Sequence, residues 1–148
     1  MTKKWLLFNV SLFGVYLLVL IKLIVLKYTV DFTFPTSLFS LNSNFIPGKT
    51  IFGYLSGEPS WWIAIYNLLG NVLLFVPLGI FLPSFFRAIT WEGVLAVTLG
   101  FSVVLEISQL FVVGTPDIDD VILNSLGAIL GYVIFLYFMS MVKSFSVK

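Results

Sequence analysis

Four runs of apolar residues, 5–26, 61–86, 91–113 and 118–141, divide this chain, and each is close to the ~20 residues that an α-helix needs to cross a bilayer. Backbone placed in lipid must satisfy its own N–H and C=O groups, so runs of this kind become helices. Only 10% of the 148 residues are charged, far below the roughly 25% usual for soluble domains, so lipid is the natural solvent for most of the surface. The expected fold is all-α: one polytopic membrane domain spanning 1–148, with about four transmembrane helices in a bundle. No repeat of fixed period or low-complexity segment divides it further.

The first run follows Lys3 and Lys4 as in a signal peptide, but it extends well beyond an h-region and lacks an A-x-A cleavage site. It reads as a retained anchor helix, with Lys22 near enough to its far end to snorkel to the interface. Residues 27–60 contain Pro35, Pro47, Gly48, Gly53, Gly57 and Pro59 among aromatics, too much punctuation for a span. They are expected to form an interfacial loop between the first two helices. Trp61 and Trp62 then mark headgroup level, and Pro77 is expected to kink the second span and help shape a cavity.

Basic residues set the expected orientation. Lys3, Lys4, Arg87, Lys143 and Lys148 would share one side, against Lys27 and Lys49 on the other, which puts both termini in the cytoplasm of a multi-pass cell-membrane protein. The acidic turn 114–120 would then face outward. Eight basic and seven acidic residues provide no field for capturing nucleic acid. With no Cys and no His, chemistry is left to carboxylates, amides, hydroxyls and lysine. No cofactor or resident metal is expected: a Gly-rich phosphate loop and a His metal motif are both missing, and the spacing of D-I-D-D is a weak cation signal.

Within the apolar runs, Glu106 is the costliest residue to place, because an intramembrane carboxyl requires a polar partner, a water-filled cavity or a proton. At ~1.5 Å of rise per residue, Glu106 and Gln109 lie about 10 and 6 Å below the outer end of their helix. By the same rise Asn124 lies about 9 Å down the fourth span, and Asn67 and Asn71 about 9 and 15 Å down the second. Each of the pairs Asn67/Asn71, Glu106/Gln109 and Asp120/Asn124 shares a helix face. Asp117, Asp120, Asn124, Gly127 and Gly131 are expected to form one stripe, its GxxxG match bringing it against a neighbouring helix. The candidate pocket is therefore Asn67, Asn71, Glu106, Gln109, Asp117, Asp119, Asp120 and Asn124. Helix capping accounts equally for Asp117, and interhelical hydrogen bonding equally for the amides. If Glu106 is desolvated close to the aspartates, it is prepared as a general acid or a shared-proton partner.

Three blocks carry a resemblance to the VanZ-like family of bacterial membrane proteins: N-L-L-G-N-V-L-L-F-V-P-L-G at 67–79, the E-x-x-Q of Glu106 and Gln109, and D-I-D-D-V-I-L-N-S-L-G-A-I-L-G-Y at 117–132. Many relatives carry an arginine after the glycine that precedes the D-x-D-D block; here Gly114 is followed by Thr115 and Pro116. The resemblance implies an association with resistance to teicoplanin and other glycopeptide or lipoglycopeptide antibiotics. The partners it brings into view are membrane lipids, a lipid-linked glycan or a lipoglycopeptide. Two other functions fit the same residues: an intramembrane enzyme using carboxylate acid/base chemistry on an envelope lipid, and a small transporter subunit. Because four helices are few for a lone transporter, the latter requires a homo-oligomer.

Overall fold

A computed structural model describes residues 3–25, 43–112 and 116–146; Lys27, Pro35, Gly114, Thr115 and Lys148 lie outside the described residues. Five helices occupy them: α1 (Lys3–Val25), α2 (Lys49–Leu55), α3 (Trp61–Phe85), α4 (Trp91–Val112) and α5 (Ile118–Ser146). Four of these, α1, α3, α4 and α5, are long and apolar enough to cross a membrane, so the all-helical polytopic architecture holds. The segment read as an interfacial loop contains the short α2, which begins at Gly48 with a φ of 88°, a backbone conformation that glycine adopts without steric cost.

Local sequence explains the helix boundaries. Ser60 is extended, and its side chain accepts the Ile63 N–H at 3.4 Å, capping α3 just ahead of Trp61 and Trp62. Asp117 caps α5 in the same manner, its Oδ1 accepting the Asp119 N–H at 2.9 Å. α3 runs without interruption through Pro77 and Pro83. Membrane helices tolerate such prolines where neighbouring helices pack on the disturbed turn; the Tyr16 hydroxyl of α1 donates to the Leu74 carbonyl oxygen at 2.9 Å, one residue past the Leu73 carbonyl that Pro77 leaves without its N–H.

Helix directions follow from the contacts between them. Phe13 packs on Phe81 and Phe85 near the end of α3, while the Ile24 carbonyl oxygen meets the Gln109 side chain near the end of α4. α1 therefore runs parallel to α4 and antiparallel to α3. Lys3, Lys4, Arg87 and Lys143 consequently gather at one end of the bundle, and α2 with the starts of α3 and α5 at the other. Leu20, Phe75 and Leu105, from three of these helices, form the buried core between the ends.

The closest helix pair is α3 with α5. Lipid tails are as apolar as the side chains, so helices associate in a bilayer through close packing, which small residues permit. Gly127 and Gly131 of α5 lie directly on the backbone carbonyl oxygens of Val72 and Val76, and Gly79 of α3 lies on that of Ala128; a Cβ at any of the three would overlap that oxygen. The GxxxG match thus does the packing expected of it.

The Tyr16 bond offers a modest test of how α1 is held. Tyr16→Phe removes only the donor to Leu74, and is expected to lower stability by about 0.6–1.7 kcal/mol, the range of single interhelical hydrogen bonds in membranes. Thermal unfolding in detergent measures it, and an unchanged midpoint would assign the attachment of α1 to its aromatic contacts, its core residues and the Gln109 bond.

Candidate functional site at the polar end of the bundle

The polar residues of α3, α4 and α5 meet at the end of the bundle that carries α2. On α4, Val94, Thr98, Ser102, Leu105, Glu106 and Gln109 are buried; their three- and four-residue spacing defines one inward face. Glu106, only 8% exposed, accepts the Asp117 backbone N–H at 2.8 Å through Oε2. Asp120, half-buried at the start of α5, accepts a hydrogen bond from the Asn71 side-chain amide of α3. The Asp120 N–H donates to the Asp117 carbonyl oxygen at 3.2 Å, which ties the two pairs together at the start of α5. Three helices thus contribute to one acidic and amide-rich layer.

A second layer lies one helical turn deeper, where Asn124 donates to the Ser102 Oγ at 2.7 Å. Among the described residues its buried Oδ1 has no hydrogen-bond partner, an acceptor left open beneath the carboxylates. The single stripe expected on α5 is divided: Asp120, Gly127 and Gly131 face α3, while Asn124 faces α4. Successive residues along a helix face diverge around a shared axis, and α5 lies between two neighbours.

Asp119 has a different setting from its acidic neighbours. It is fully buried, and its two oxygens accept backbone N–H groups of Gly48 at 2.6 Å, Thr50 at 2.8 Å and Ile51 at 3.1 Å. The carboxylate therefore satisfies the donors at the start of α2, which otherwise have no partner within that helix. Asp117 is likewise committed, as the cap of α5 and as an acceptor from Asn44 at 2.8 Å. The three aspartates diverge toward the loop, α2 and α3, and among the described residues no group of three acidic side chains is arranged to hold a metal ion.

Two of the eight sequence candidates give their amides to backbone carbonyl oxygens. Asn67 directs its amide to the Ile63 carbonyl oxygen one turn earlier on its own helix, at 2.9 Å, and Gln109 directs its amide to the Ile24 carbonyl oxygen of α1 at 3.2 Å. Of the remaining six, Asn71, Glu106, Asp117, Asp119 and Asp120 are joined through the start of α5, and Asn124 pairs with Ser102 one turn deeper. Thr115, where many relatives have arginine, lies outside the described residues.

Sequence reasoning overlooked Asn44 and Ser102. Asn44 is 5% exposed and bridges the loop to α5: its N–H donates to the Pro116 carbonyl oxygen and its carbonyl oxygen accepts from the Ile118 N–H, both at 2.9 Å. Its side chain donates to Thr50 and Asp117 while accepting the Ile46 N–H at 3.0 Å, an Asx turn that the Asn ahead of F-I-P-G signals. For Ser102, the available signal was its position four residues before Glu106 on the same helix face.

The fold and this layer define a class: a small multi-span membrane protein with carboxylates and amides gathered inside one end of its helix bundle. Residues 13–140 match the VanZ/LLP1 family, and the chain belongs to that family. Protein VanZ of Enterococcus faecium is 38% identical over 66 residues, which cover 44% of this chain and 41% of that protein, so the matched region spans less than half of the relative's length. No solved structure matches.

Proposed function

We propose that this protein acts in the cell envelope to lower the effect of glycopeptide antibiotics, teicoplanin above all. The acidic and amide layer binds an envelope lipid, a lipid-linked glycan or the lipophilic antibiotic itself. It faces the extracytoplasmic side with both termini in the cytoplasm, since Lys3, Lys4, Arg87 and Lys143 collect at the opposite end of the bundle. The observation that carries the reading is the convergence of Asn71, Glu106 and Asp120 from three helices. Intramembrane carboxylates are costly to bury, and such residues mark functional sites in membrane proteins. Family membership supports the antibiotic association.

The test is the teicoplanin inhibitory concentration of a sensitive Gram-positive host expressing the wild type, Glu106→Gln or Asp120→Asn at matched membrane abundance. The wild type is expected to raise it over an empty vector at least fourfold, and each variant to return it to the vector's value. Protection retained by both variants would remove the carboxylates from the function, and no protection by the wild type would remove teicoplanin from it.

A further inference from the structure

Glu106, Asn71 and Asn124 are each more than nine-tenths buried, so a ligand reaching them requires a movable wall. Among the described residues, the segment from Asn44 to Leu55 lies at this end of the bundle, bonded to the start of α5. None of the α2 side chains is buried, and Phe52 and Leu55 remain 69% and 57% exposed. Beside the half-buried Ile51 and Tyr54, polar bonds hold the segment: three backbone N–H groups on Asp119, and the backbone and side chain of Asn44 on residues 116–119. Water or a polar ligand can replace hydrogen bonds group for group, whereas lost packing has no such substitute.

We infer that this segment is a latched cover over the acidic layer, with Asp119 and Asn44 as the latch. This rests on the reading of that layer as a ligand site, and assigns how access to it is controlled. Release from Asp119 frees residues 48–51 while α3 and α5, locked through Gly79, Gly127 and Gly131, stay packed. The same release loosens the hold of Asn44 on Asp117, whose N–H is the partner of Glu106. Opening the cover thus acts on the residue that holds the Glu106 carboxylate. Local openings of this kind occur well below the free energy of global unfolding.

Hydrogen exchange on the wild-type protein in lipid nanodiscs tests it without a variant and without reference to resistance. Amides 48–51 are expected to exchange at least 100-fold faster than those of residues 121–131. Exchange of the two regions at one common rate would overturn the cover. A second arm uses the natural absence of cysteine: Ser102→Cys reports access to the layer, and Thr98→Cys, one turn deeper, reports general loosening. Asn44→Ala is expected to raise maleimide labelling at position 102 at least tenfold and leave position 98 unchanged. Equal increases at both positions, or none at 102, would overturn the latch. Failure of the teicoplanin test with both of these results intact would discard the ligand reading and keep the moving cover.

Discussion

Gly127→Val is expected to abolish the native pairing of α3 with α5. The new Cβ would overlap the Val72 carbonyl oxygen, a backbone atom that cannot rotate away, so the helices have to separate along their contact. Overpacking of an interior usually costs about 1–3 kcal/mol, and more where backbone is the obstacle. Here separation also breaks the Asn71 to Asp120 hydrogen bond about two turns away and exposes Gly131 and Gly79. A loss of roughly 3 kcal/mol or more follows from close packing that nothing else in lipid replaces. Thermal unfolding in detergent should show the midpoint falling steeply, with Gly70→Ala and Gly100→Ala as controls, since a Cβ at either position meets nothing within 4 Å. A Gly127→Val protein melting within a few degrees of the wild type would mean that α3 and α5 are held by something other than this contact.

Asp119→Ala is expected to release α2 and its flanking loop from the bundle without unfolding the spans. A hydrogen bond to a charged group contributes about 1.5–3 kcal/mol, and a buried donor left alone costs about 1–3 kcal/mol. Removing the carboxylate strips three donors, on Gly48, Thr50 and Ile51, of their acceptor. Keeping them buried is costlier than exposing them, because α2 gives up only half-buried side chains, Thr50, Ile51 and Tyr54, on leaving. Limited proteolysis in nanodiscs should therefore cut the variant between residues 44 and 58 at least tenfold faster than the wild type. Asp119→Asn, which retains one acceptor oxygen, should fall between them. Uniform resistance to cleavage across the three proteins would show that side-chain packing, and not Asp119, holds the segment.

The two substitutions differ in reach because the two contacts differ in kind. The glycines join helices whose separation disrupts the whole bundle; Asp119 joins one short segment to the bundle's end. Asp119 and Asp120 are adjacent in sequence, yet the first serves the cover and the second the layer beneath. A 100° rotation between neighbouring helical residues is enough to point them at different partners.

Much of this was determined by the sequence alone. Four apolar runs left the backbone no alternative to helices in lipid, and Trp61 with Trp62 and Asp117 marked where two of them begin. Gly127 and Gly131, four residues apart, announced a close helix contact, and the depth of Glu106, Asp120 and Asn71 along their helices placed them at one end. Periodicity and rise are properties of a single helix, so they can be read from one segment at a time. Which helix each polar residue faces was decided only by tertiary structure. Asn67 has the same spacing and nearly the same depth as its neighbours but turns to its own helix; Gln109 turns to α1; Asn124 turns to Ser102 and not to α3. Asn44, 73 residues from Asp117 in the chain, carries no periodic signal at all. Its role exists because folding brings a loop and a helix start together, and a contact between distant segments depends on how the helices rotate and pack, which no local pattern encodes.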